Sequence, residues 1–172
     1  MTNTTKKTDK TFIVLRGVPG SGKSEIADMM AMMHGDAVVV TTDDYWTEER
    51  PFNRCLLGQS HEWAFCQAGR AFEEGVPLVI LANTSTQEWE FDKYVELAKV
   101  EGYRVYFLVV ENRHGGMNSH KVPEKIVHNM ERRFELQLYR DNKVLRPEGI
   151  SGRIKQRLEK NLLWRMIKTS FR

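Results

Sequence analysis

One segment constrains this chain more than any other: Gly17-Val-Pro-Gly-Ser-Gly-Lys-Ser24. It follows an apolar run, Phe12-Ile-Val-Leu15, and opens a stretch of helical character, Glu25–Met33. The pattern G-x-x-x-x-G-K-[ST] between a strand and a helix has a mechanical meaning. Consecutive backbone N–H groups wrap a phosphate chain, and glycines permit the turn this needs. The N-terminal end of the helix adds positive potential. Lys23 carries its ammonium to the β- and γ-phosphates, and Ser24 offers a hydroxyl to Mg²⁺. Gly17, Val18, Pro19, Gly20, Ser21, Gly22, Lys23 and Ser24 are therefore the candidate nucleotide-binding residues, with ATP and Mg²⁺ as the expected cofactors.

A loop of this kind belongs on a parallel sheet, and the rest of the chain supplies one. Ala37–Val40, Leu78–Leu81 and Tyr103–Val110 read as further strands. Each is a continuous apolar run without alternation, the pattern of strands covered on both faces. Helices are expected over 25–33, from an N-cap at Ser60 to Glu74, over about 86–101, and from Pro123, with Ile126, Met130, Phe134 and Leu138 on one stripe. Met29, Met30, Met32 and Met33 are expected in the core. Residues 46–58 and 111–122 read as loops. The expected fold class is α/β, a three-layer P-loop kinase fold with a parallel sheet of at least four strands, plus a basic C-terminal helix carrying Ile154, Leu158, Leu162 and Met166.

Three parts are expected: a disordered basic tail over 1–10, a kinase domain over 11–145, and a basic amphipathic helix over 146–172. The 172 residues carry a net charge of +3. That sum hides +2 in residues 1–10 and +6 in 151–172, leaving −5 for the rest. Basic ends on an acidic body fit a polyanionic partner, and nucleic acid is the expected one. No apolar run approaches the ~20 residues of a membrane span. The polar start does not read as a signal peptide. Cys55 and Cys66 make no disulfide framework and match no metal spacing, as expected of reduced thiols in a cytoplasm. That is the cell's own, or the host's if the chain is phage-encoded. The residues carry no signal for an oligomeric state.

The acceptor side is read from the second strand, which ends in Thr41-Thr-Asp43-Asp44. In an open parallel sheet this edge faces the ligand crevice. A carboxylate there, near Lys23, can take a proton from an acceptor hydroxyl and orient it for in-line attack. Spacing alone does not order the pair. Asp43 is taken as the base and Asp44 as its support. The third strand ends in Ala82-Asn83, without the acid that motors and switches use for Mg²⁺. Loop 111–122 contains Arg113, His114, His120 and Lys121, and such a loop can close as a lid. Arg113 is the candidate cation on the transferred phosphoryl group. Trp46 can stack on a base. Arg54, with Arg50, can meet a substrate phosphate.

Gly17–Ser24, Thr42-Asp-Asp-Tyr45, Ser60-His-Glu-Trp63, Asn83-Thr-Ser-Thr-Gln87 with Trp89, and Asn118–Met130 occur in this order. Over about residues 11–140 they resemble the polynucleotide-kinase-like branch of P-loop kinases. That branch includes the phage 5′-hydroxyl polynucleotide kinase and the kinase modules of animal ubiquitin-ligase-binding proteins. The resemblance implies an ATP- and Mg²⁺-dependent kinase acting on a nucleic-acid hydroxyl. It places the base at Asp43, nucleotide contacts at Lys23 and Ser24, substrate contacts near Asn83 and Thr84, and cations in 111–122. Three positions depart from it. Ala82 stands where relatives often have Asp, Trp46 where an arginine meets the neighbouring phosphate, and Met117 where a second lid arginine is expected.

The reading is a kinase transferring the γ-phosphate to the 5′-hydroxyl of DNA or RNA. Its rivals are a kinase for a hydroxymethylated base, such as 5-hydroxymethyluracil, within phage DNA; a nucleoside or other small-molecule kinase; and a nucleotide-binding module without catalysis.

Overall fold

Residues along Phe12–Leu15 alternate between two separate apolar clusters, which fixes the layering. The structure, a computed structural model, describes residues 9–115 and 122–136. Among them, strands β1 (Thr11–Arg16), β2 (Ala37–Val40), β3 (Leu78–Leu81) and β4 (Arg104–Val109) form one parallel sheet in the order β2-β3-β1-β4. On one face Phe12, Val14, Val40, Val79 and Leu81 pack under helices α2 (Leu57–Glu74) and α3 (Asp92–Val100). On the other, Ile13, Leu15, Val39 and Ile80 pack under α1 (Lys23–His34). The α/β three-layer P-loop kinase fold with four parallel strands is thus present. The fourth α-helix among the described residues is α4 (Glu124–Arg132). The N-terminal tail, the C-terminal helix, Leu138, Met117, His120 and Lys121 lie outside the described residues.

Local competition for backbone groups moves several boundaries. The helix expected from Ser60 begins at Leu57, because Asn53 caps the 3₁₀ turn before it, accepting from Cys55 N at 2.9 Å. Ser60 is instead buried inside α2, its Oγ donating to Leu57 O at 2.9 Å. The helix expected over 86–101 splits into a 3₁₀ turn, Glu88–Glu90, and α3. Glu90 accepts from Thr86 N (2.9 Å) and Thr86 Oγ1 (3.2 Å), and Glu135 from Glu88 N (2.7 Å), so side chains satisfy groups a continuous helix would have used. The stripe on α4 stops early. The helix ends at Arg132, and Phe134 leaves it to lie on the guanidinium of Arg16.

Two core expectations are corrected. Only Met30 of the four methionines packs against the core; Met29, Met32 and Met33 are exposed. Lys23, Ile26, Ala27 and Met30 occupy the sheet-facing stripe of α1, which leaves the other three pointing away. Strand β4 is not covered on both faces by the described residues: Tyr106, Phe107 and Val109 are about half exposed at this edge of the sheet.

Candidate active site

The 17–24 loop leaves the C-terminal edge of β1, and close packing sets its composition. A Cβ on Gly17 would stand 2.6 Å from both Ser21 Oγ and the Val110 carbonyl oxygen, so a side chain cannot be accommodated. Gly22 has φ 87°, a left-handed backbone that glycine adopts at no steric cost, and it leads directly into α1. Gly17 N donates to Thr84 O at 3.0 Å, joining the loop to the segment after β3. Ser21 is buried and Ser24 is exposed on the first turn of α1.

Lys23 folds back into this cradle. Its ammonium donates to Val18 O at 2.8 Å and Ser21 Oγ at 3.3 Å, and the side chain is only 8% exposed. Burial pulls its pKa down to about 8, against the opposing field of the Asp43 carboxylate. A buried ammonium among backbone groups is matched by a polyphosphate, whose charge favours the protonated form. The Ser24 hydroxyl, exposed on the first turn of α1 beside this cradle, is an oxygen donor that suits a hard cation such as Mg²⁺ held with the nucleotide. The residues therefore fit both expected cofactors.

Asp43 and Asp44 sit on a 3₁₀ turn, Asp43–Tyr45, beyond β2. Thr41 Oγ1 accepts from Asp43 N at 3.1 Å. Asn83 Oδ1 accepts from Thr42 N at 2.9 Å and Thr42 Oγ1 at 3.2 Å, so the end of β3 positions the turn. The two acids differ in setting. Asp43 acts on Lys23, whereas partial burial, Asp43 and Asp28 together push the Asp44 carboxyl upward.

The remaining candidates fall around this core. Thr84 meets Gly17 through its carbonyl. Trp46 is half-buried, its ring edge-on to Tyr45 (4.9 Å) and Phe52 (5.2 Å). Arg54 is exposed at the start of the 3₁₀ turn Arg54–Leu56. Arg50 is closer to the acidic turn, its guanidinium 4.3 Å from the Tyr45 ring centre and donating to Tyr45 O at 3.1 Å. Arg113 is 86% exposed and paired with Glu111. Its neighbour His114 reaches the phosphate loop instead: Nε2 is 3.3 Å from Ser21 O and 3.2 Å from where a Gly22 Cβ would be. The sequence offered no signal for His114 beyond its place in that loop. Trp63 packs on the core and Trp89 is exposed.

Strand, phosphate loop, buried lysine and an acid pair on the turn that follows β2 define a kinase-like P-loop domain. A family model described as AAA domain matches residues 12–136, and the chain belongs to that family. Human NEDD4-binding protein 2 is 38% identical over 98 residues, which is 56% of this chain and 6% of that protein. The chain thus spans a small part of that relative's length. A chain in the structure of the Pnkp1/Rnl/Hen1 RNA repair complex aligns with TM-score 0.51 and 16% identity, covering 100% of this chain and 49% of that one; it supports the fold. A gluconokinase from Sinorhizobium meliloti 1021 aligns at TM-score 0.47 and 17% identity, over 94% of this chain and 95% of that one. The resemblance to polynucleotide-kinase-like P-loop proteins, first read from the motifs, holds. Among the described residues no helix is long and apolar enough to cross a membrane.

Proposed function

We infer that the chain is a phosphotransferase that moves the γ-phosphate of ATP to a nucleic-acid hydroxyl, the 5′-hydroxyl of DNA or RNA. The observation that carries this reading is the phosphate loop with its buried Lys23 ammonium, which donates to Val18 O and Ser21 Oγ and lies within the field of the Asp43 carboxylate. The candidate phosphate-binding cation and the candidate base thus come from the segments that follow β1 and β2. The RNA repair setting of the structural neighbour motivates the nucleic-acid arm.

Each residue then has a task. The backbone of Gly17–Ser24 and the ammonium of Lys23 hold the phosphates. Ser24 would hold Mg²⁺ together with the nucleotide, and the ion would neutralise charge developing on the phosphate oxygens. Asp43 takes the proton of the acceptor hydroxyl. Asp44, next to it on the same 3₁₀ turn, supports it. Arg113 leaves Glu111 for the transferred group, where a guanidinium fork matches three equatorial oxygens. Asn83, Thr84, Trp46 and Arg54 line the approach of the acceptor.

A second reading is favoured by one observation. Trp46, half-buried against Tyr45 and Phe52, stands where the resemblance implies a phosphate-binding arginine, so the acceptor hydroxyl can belong to a modified base within DNA. Transfer of γ-labelled phosphate separates the readings when the protein is offered 5′-hydroxyl oligonucleotides, oligonucleotides with hydroxymethylated bases, and free nucleosides. Labelled 5′ ends are expected. Label confined to the modified base supports the second reading, and label only on nucleosides overturns both.

A further inference from the structure

Arg16, the last residue of β1, is charged and only 6% exposed. Its side chain joins segments far apart in sequence. Nε donates to Ser85 O at 2.7 Å, and Nη2 donates to Thr86 O at 3.1 Å and Glu135 O at 2.6 Å. The guanidinium lies between two rings, 4.7 Å from the centre of Phe91 and 4.9 Å from that of Phe134. Its own carbonyl accepts from Val110 N at 2.7 Å, at the end of β4.

The segment it grips is tied to Glu90 through Thr86 but is strained at Ser85. Ser85 has φ 47°, a left-handed conformation that a non-glycine residue adopts only when its surroundings impose it. Its Oγ is buried and has no hydrogen-bond partner among the described residues. Both features raise the energy of this loop. A planar cation with several donors in fixed directions compensates by meeting two successive carbonyls at once.

The consequence reaches the reacting groups. The gripped loop carries Asn83, which holds Thr42, the residue before Asp43. It also carries Thr84, which receives the N–H of Gly17. Arg16 is itself joined covalently to Gly17. We propose that Arg16 is a positioning residue that sets the acceptor loop, and through it Asp43, against the phosphate loop. This rests on the kinase reading for its catalytic consequence, whereas the clamp itself stands on geometry alone.

The test compares the full chain with Arg16→Lys, Arg16→Met and Phe134→Leu. Amide exchange read by mass spectrometry is expected to speed up about tenfold or more across residues 84–88 in both Arg16 variants. ATP affinity should stay within about threefold while kcat for phosphoryl transfer falls about a hundredfold, the effect of a misplaced reacting group. Lysine keeps the charge but not the fork, so it should not rescue. If Arg16→Met fails to fold, Phe134→Leu decides, since losing one ring of the sandwich should give an intermediate acceleration at 84–88. Unchanged exchange at 84–88, or full activity in Arg16→Lys, overturns the proposal. Wild-type protein that binds ATP but labels no acceptor overturns the kinase reading instead, and exchange at 84–88 still decides the clamp.

Discussion

Asn83 spends its side-chain oxygen on Thr42, accepting from the backbone N at 2.9 Å and from the hydroxyl at 3.2 Å. A residue read from sequence as a substrate contact thus also builds the turn that carries Asp43. Asn83→Ala removes both bonds, at a cost of about 1–2 kcal/mol to the local structure. Turnover should fall between about tenfold and a hundredfold. ATP affinity, measured by calorimetry, should be unchanged. A rise in acceptor KM alone, at constant kcat, would assign Asn83 purely to substrate binding.

His114 and Arg113 are neighbours with different surroundings, and their variants should separate cleanly. His114 touches the phosphate loop at Ser21 O, whereas Arg113 is paired with Glu111 in solvent. His114→Ala should weaken ATP binding several-fold, through the loss of one hydrogen bond that steadies the phosphate loop at Ser21 O, about 1 kcal/mol. Arg113→Ala should leave ATP affinity alone and lower kcat by about two to three orders of magnitude, as for a donor used only in the transition state. Titration of both variants with ATP, followed by single-turnover assays, reads the split.

Lys23 makes a pH prediction whose sign follows from its burial. Its pKa falls from 10.5 to about 8 in the folded protein. Between those values the unfolded chain binds a proton that the folded chain does not, so stability without nucleotide rises with pH. The full effect amounts to about 3 kcal/mol, gained from pH 8 to above pH 10 and absent below pH 8. Nucleotide acts the other way. Phosphate favours the ammonium, so ATP binding takes up a proton above pH 8 and weakens as pH rises. Denaturant titrations of Lys23→Met should lose the first dependence, and calorimetry in two buffers of different ionisation heat counts the proton.

The two cysteines should differ in reactivity. Cys55 is exposed, and Cys66 is fully buried in α2 with its thiol pushed up to about 11 by burial and by Glu62. At pH 8 a thiol reagent should label one site per native chain and two in denaturant. Rapid labelling of both in the native state contradicts the packing of α2 on the sheet.

Much of this architecture is legible in the sequence because it is local. Phe12–Leu15, Ala37–Val40 and Leu78–Leu81 declare buried parallel strands by their unbroken apolar character. Gly17–Ser24 declares its own geometry, since each residue type answers a steric or electrostatic demand at that point. What the sequence hides depends on distant partners. Arg16 reads as an unremarkable residue before a glycine, because its contacts lie some 70 and 119 positions away, at Ser85, Thr86 and Glu135. The exposure of Met29, Met32 and Met33 depends on which side of α1 meets the sheet, and four closely spaced apolar residues do not mark a side. The split of the expected 86–101 helix comes from Glu90 and Glu135 taking N–H groups, a competition that helix periodicity does not record.

The central claim is that Asp43 accepts the proton of an acceptor hydroxyl while Lys23 holds the phosphates. Its most direct test is transfer from γ-labelled ATP to a 5′-hydroxyl oligonucleotide by wild type and Asp43→Asn, with ATP affinity measured in parallel. The account predicts labelled 5′ ends for the wild type, and for Asp43→Asn a loss of about two to four orders of magnitude in kcat at unchanged ATP affinity. Equal transfer by both proteins, or ATP binding by the wild type with no label on the oligonucleotide, would contradict it.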